Sequence, residues 1–251
     1  MGRIVPLRAA WRALAVPTMI VLAWEALARA GQLPADTLPP PSQIGVAGLG
    51  LLADGSVLVA AWQTLQAAVG GLVLAAITGV LCGVALGLAP RAARVVGPSI
   101  EAMRPVPAVA LMPLALLFFG FGLSMEVAVV SFACIWPVLV ITIAAVRGIE
   151  PRLLDVARVL EMSARARLVQ IILPAAMARI AIGLRLAMGI ALVVAVTVEI
   201  AIDPRGLGFQ LMTAQQSLRP DLMYAWLAWI GLLGWGLNEV LALFAARGVA
   251  R

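Results

Sequence analysis

Seven charged side chains, Glu150, Arg152, Asp155, Arg158, Glu161, Arg165 and Arg167, crowd into one short stretch of a chain that is 63% apolar and only 12% charged. Another carboxylate, Glu199, ends an apolar run, and Glu25 and Glu239 sit in two others. Most covalent chemistry is closed to this set. The 251 residues include no His and no Lys, so all 18 cationic side chains are Arg. Without His there is no Ser–His pair, no HExxH zinc site and no haem His ligand. Without Lys there is no GxxxxGK[ST] phosphate loop, which excludes ATP hydrolysis by that route. The carboxylates show no clustering along the sequence, so no catalytic residue and no metal ligand is assigned. Cys82 and Cys134 lie in apolar runs and read as packing residues.

The charged island has helical order. Pro151 starts a short helix, where its missing N–H costs nothing. Polar residues then recur at Arg152, Asp155, Arg158 and Glu161. Leu153, Leu154, Val156, Ala157 and Leu160 fill the other face, an amphipathic pattern at the helical period. Met162 closes the segment. Ser163 is placed to cap a second helix, Ala164 to Leu173, which Pro174 ends or kinks. Three readings of the amphipathic helix stand open: it lies on lipid, packs on its own protein, or docks into a partner.

The elements around the island are membrane spans. Mean hydropathy is +1.07, and several apolar runs exceed the roughly 20 helical residues that a bilayer requires. No series of ~10-residue alternating strands suggests a barrel. The fold class is therefore all-α and integral to the membrane. About six spans are expected, near 12–31, 67–89, 105–122, 125–146, 180–201 and 223–245. With both termini in the cytoplasm, every Arg except Arg29, Arg205 and Arg219 falls inside, and the positive-inside rule selects that topology. The net charge of +6 thus reflects orientation rather than nucleic acid. The island becomes a cytoplasmic loop. The start of the chain also fits a cleavable signal peptide, although Glu25 and the length of the run favour a retained helix.

Pro34, Pro39, Pro40 and Pro41 make an extended external segment after the first span, and Ser56 to Gln66 reads as a shallow amphipathic helix. Pro105, Pro107 and Pro113 interrupt the third span, which suits either a buried broken helix or a kinked peripheral one. Ala67, Gly71, Ala75, Gly79, Gly83 and Gly87 form a stripe of small residues that packs against another helix. Gly183, Ala187, Ala191 and Ala195 form a second stripe that ends on Glu199. With Met188, this stripe gives candidates for a translocation pathway; Glu199 reads equally as a gate and as an interfacial anchor. Glu25 and Glu239 read as structural polar residues, and Arg185 snorkels to the inner surface.

The island resembles the EAA loop of ATP-binding-cassette importer permeases, E-A-A-x3-G-x9-I-x-L-P. Aligned on Ile171, Leu173 and Pro174, it supplies Asp155-Val156-Ala157 and places Glu161 at the glycine. Glu adopts a positive-φ turn poorly, so either this turn is helical or the loop joins its helices differently. Further marks resemble the nitrate/sulfonate/taurine branch: "LPPPSQI", "RPVPAVALMPLALLFFGFG", "ILPAAMARIAIGLRLAMGIAL" and "VEIAIDPRGLGFQL". The resemblance covers about residues 35–245.

The resemblance implies a type I importer architecture. Residues 1–57 would be an N-terminal span with an external segment, and 58–251 a permease core with its cytoplasmic loop at 147–179. It implies a second permease subunit, expected to be an identical copy, in a bacterial inner membrane. It implies two cytoplasmic ATPases that hold ATP and Mg²⁺ and grip residues 152–162, and an external binding protein that delivers a small anion such as a sulfonate, taurine or nitrate. This chain would bind no cofactor. The competing reading is a stand-alone carrier or channel; a membrane enzyme and a structural anchor rank lower.

Overall fold

The computed structural model describes residues 7–34 and 36–249, and among them the chain is helical with no strand. The helices are α1 (Leu7–Arg29), α2 (Pro41–Ala53), α3 (Ser56–Leu88), α4 (Pro90–Met103), α5 (Met112–Phe119) and α6 (Leu123–Arg147). They continue with α7 (Pro151–Val159), α8 (Ala164–Arg167), α9 (Leu173–Ala201), α10 (Gly206–Gln216) and α11 (Pro220–Val249). Large apolar side chains such as Trp62, Leu81 and Val193 are more than 60% exposed on the outer helix faces. Apolar surface that broad is stable against lipid or a partner chain.

The core is three helices. Between lipid-soluble helices no water is released, so close approach and van der Waals contact must hold them together. The stripe on α3 provides that approach: Ala67, Gly71, Ala75, Gly79, Gly83 and Gly87 are all buried. A Cβ added at Gly71, Gly79, Gly83 or Gly87 would run into Val130, Val138, Thr142 or Val146 of α6, respectively. The partners ascend together, so α3 and α6 run parallel. The chain between them, residues 89–122, must therefore return along the whole bundle. α9 lies antiparallel across both, with Gly183 against Ile141 and the Cys134 thiol donating to the Ala187 carbonyl. Both cysteines are free.

Three expected spans are redrawn. Ser56 to Gln66 is no separate amphipathic helix; it is the start of the 33-residue α3, about 50 Å long against a core of about 30 Å. The third crossing is not one span at 105–122. It is built from α4, a 3-10 turn at Ala108–Leu111 and α5, bent by 86° where Pro105 and Pro107 remove backbone donors. The fifth is not confined to 180–201, because residues 164–201 form one helical path. Pro174 does not end it. A π-helical turn at Leu168–Ile172 precedes the proline and lets the helix run on into α9.

Among the described residues, α3, α6 and 164–201 are each long and apolar enough to cross a membrane, and the bent α4/α5 pair makes a fourth. α1 and α11 occupy the positions expected for the first and last spans. The side chains of Arg3, Arg8, Arg12, Arg247 and Arg251, on which the expected placement of the termini rests, lie outside the described residues. The bundle has an Arg-rich end, where α3 and α6 finish and α7 sits, and an Arg-poor end, where α10 lies.

Candidate functional site

At the Arg-rich end, α7 stands proud of the bundle. Glu150 is extended and Pro151 takes the first helical position. Only Ala157, 1% exposed, is fully buried; Leu154 beside it packs on the cluster of Ile149, Ile172 and Ala176. The rest of the helix is open. Leu153, Val156, Val159 and Leu160 are 43%, 51%, 82% and 66% exposed. Arg152 and Glu161 are exposed and Met162 is half-buried. Arg158 pairs with Asp155 at 3.0 Å on the open surface, a contact that orients side chains but adds little stability. The structure therefore leaves an amphipathic helix with two residues tying it down and an apolar surface uncovered by its own chain.

The turn after α7 resolves the question posed by Glu161. Glu161 does adopt the left-handed conformation, with φ 47°. Its N–H donates to the Arg158 carbonyl, and the Met162 N–H donates to the Ala157 carbonyl, each at 3.0 Å. That pair of bonds is a Schellman turn with Glu where Gly is usual. Neither expected alternative holds: the turn is not helical, and the joint is not rebuilt. Ser163 then caps α8 as expected, its Oγ accepting from the Ala166 N–H at 3.2 Å.

The opposite end holds a junction the sequence concealed. Glu126, Glu199 and Asp203 are 3%, 1% and 1% exposed. Glu199 Oε2 accepts from the Gly208 N–H at 2.8 Å, and Asp203 Oδ2 accepts from the Gly122 N–H at 2.8 Å. Gln63 and Thr64 on α3 accept from the N–H groups of Gly206 and Leu207. The starts of α6 and α10 are thus capped by side chains from α3, α9 and the turn beyond it, as helix N-termini require. Glu126 lies beside Asp203 in the same junction. Arg205 lies beside Gly122. The expectation that no carboxylates cluster is overturned: residues 73 and 77 positions beyond Glu126 fold back against it.

The pathway candidates lie within the bundle. Ala187, Ala191 and Ala195 are fully buried against α3 and α6, Glu199 closes the junction, and Met188 is half-buried. In this conformation they face neighbouring helices of the same chain. Glu25 is structural as expected, its carboxylate accepting from the N–H and hydroxyl of Ser42 and so fixing α1 to α2. Glu239 is exposed. Arg185, expected to snorkel, donates to Asn238 on α11.

The fold and its two ends define a helical, multi-pass membrane protein with a protruding loop helix. Residues 71–247 match the family of binding-protein-dependent transport system inner membrane components, and the chain belongs to that family. It is 29% identical over 223 residues to a putative aliphatic sulfonates transport permease protein of Bacillus subtilis (strain 168), covering 89% of this chain and 81% of that one. It is 30% identical over 236 residues to a taurine transport system permease protein of Escherichia coli (strain K12), covering 90% and 84%. A nitrate import permease protein of Leptolyngbya laminosa is 29% identical over 75% of this chain and 68% of its own. Among solved structures, inward-facing conformations of the MetNI methionine ABC transporter superpose with a TM-score of 0.59 at 14% identity. The match covers 73% of this chain and 94% of that one, and shows the fold alone.

Proposed function

We propose that the chain is the membrane-spanning subunit of an ATP-driven, binding-protein-dependent importer, with α7 as its coupling helix seated in a partner ATPase. The observation that carries this reading is the uncovered surface of α7. Leu153, Val156, Val159 and Leu160 project from a helix held by two residues, beside charges that suit a protein groove better than lipid. Helix α7 is joined through the Glu161 turn to the helical path 164–201, so a partner that shifts α7 shifts α9. The relatives' names point to small anions, with sulfonate, taurine and nitrate as the solute class. Two identical copies, six crossings and cytoplasmic termini complete the assembly. The carboxylate junction fastens the external end.

Cysteine at Val156 or Val159 should crosslink to a co-expressed ATP-binding subunit. No crosslink anywhere along α7 in an active complex would reject the contact. Exchanging Asp155 and Arg158 by charge reversal should leave ATP hydrolysis running while uptake falls. Uptake that persists without ATP and follows an ion gradient would instead establish a secondary carrier.

A further inference from the structure

The helical path from Ala164 to Ala201 contains one turn wider than its neighbours. At Leu168–Ile172 the backbone is π-helical, and the Leu173 N–H donates to the Leu168 carbonyl, five residues back. Such a turn is an α-helix carrying one residue more than its length requires. Everything before it is therefore displaced, relative to an unbroken α-helix, by one residue's step, about 100° and about 1.5 Å. What comes before it here is α8 and, through the Glu161 turn, α7. The cause lies just past the turn. Pro174, at the start of α9, has no N–H for the Gln170 carbonyl four residues back, and in an α turn its ring would press on that carbonyl. The wider turn removes the contact. Pro174 and Gln170 are both exposed, so the proline acts on the backbone and not through packing.

The packing depends on the phase that this turn sets. Leu168, Ile172, Ala176 and Ile180 recur at steps of four and join Ile149 and Leu154 in one apolar cluster. A step of four overshoots an α turn of 3.6 residues by about 40°, so three steps drift by about 120°. One residue taken up in the wide turn removes about 100° of that drift and keeps Leu168 on the face of Ile172 and Ala176. Closed to α geometry, the same segment would bring Val169, now 54% exposed, to the inward place and turn Leu168 away. Leu154 packs on this cluster from α7, so the orientation of α7 and the phase of 168–180 are set together.

We propose that Pro174 is a positioning residue for energy coupling: by excluding the α form of residues 168–172 it holds the π turn, and the π turn sets the angle at which α7 is presented to its partner. The partner in this statement rests on the coupling-helix reading; the angle does not.

The test places nitroxide labels at Val159→Cys on α7 and Leu88→Cys at the end of α3, both exposed, in the full chain with Cys82→Ala. Their separation is read by pulsed electron paramagnetic resonance in detergent micelles. A point about 8 Å off a helix axis travels about 12 Å in a turn of about 100°. Pro174→Ala restores the N–H and lets the turn close, so the distance should shift by several ångströms. Deleting Gln170 in the Pro174→Ala chain removes the extra residue from an all-α path and should return the wild-type distance. In the complete transporter in liposomes, Pro174→Ala should lose uptake and the added deletion should recover it, a rescue that a merely damaged fold would not show. A distance unchanged by Pro174→Ala would overturn the proposal, because packing alone would then hold the turn. A shift that the deletion fails to reverse would overturn it too, since the disturbance would not be one of phase. The distances are read with no ATPase present. Distances that behave as stated while uptake is untouched by Pro174→Ala would reject the coupling-helix reading instead.

Discussion

Replacing Glu161 by glycine should tighten the joint between α7 and α8. Glu161 sits at φ 47° in a Schellman turn, with its N–H and that of Met162 bonded to Arg158 and Ala157. A left-handed L-residue costs about 1–2 kcal/mol that glycine does not incur. Glycine gives back about 0.4–1 kcal/mol by loosening the unfolded chain. The difference leaves the variant more stable by about 0.5–1 kcal/mol, a factor of about two to five in local opening. Amide hydrogen exchange read at Met162 and Ala166 in detergent micelles should slow by that factor, while peptides from α3 and α6 stay unchanged. Glu161→Ile supplies the opposite sign, because a β-branched side chain fits the left-handed region worst. Exchange that is the same in wild type, Gly and Ile variants would refute the argument, since the turn would then not be strained.

Ser163→Ala should cost the same joint about 1 kcal/mol by removing the cap on Ala166, seen as faster exchange at that amide. Gly83→Ala places a methyl 2.6 Å from Thr142 Cβ and 3.1 Å from the Leu139 carbonyl, forcing α3 off α6. A loss of about 1–3 kcal/mol is expected in a thermal melt. Gly97→Ala, which meets nothing within 4 Å, should be neutral or mildly stabilising. Glu199→Ala strands the Gly208 N–H and should cost about 1–3 kcal/mol, whereas Glu199→Gln, which keeps an acceptor, should lose much less on the same melt.

Local pattern carried much of this architecture. A step of four in small residues is a property of one helix, and the stripe on α3 packs against α6 as that spacing implies. The amphipathic period of 151–162 and the Ser163 cap are likewise contained in a few residues. The carboxylate junction is different. Gly122 meets Asp203 across 81 positions, and Gly206 meets Gln63 across 143. No periodicity encodes such pairings. The available hints were an acid in the first turn of α6 and an Asp ahead of a Pro-Arg-Gly turn, both of which suit helix capping. Of the two outcomes expected at Pro174, a helix end fails because the rule that proline stops a helix assumes α geometry, and a π turn escapes it. Glu161 misled because intrinsic preference was weighed without the two backbone bonds that hold the turn.

The path from Ala164 to Ala201 has 38 residues, which at 1.5 Å each amounts to about 57 Å. One tip carries the α7 joint and the other carries Glu199. It is a single crankshaft through the membrane, and its one compliant bearing is the π turn at Leu168–Ile172. A displacement at the α7 joint is carried along that path toward Glu199. The protruding loop and the carboxylate junction, at opposite ends of the bundle, therefore hang on the same element.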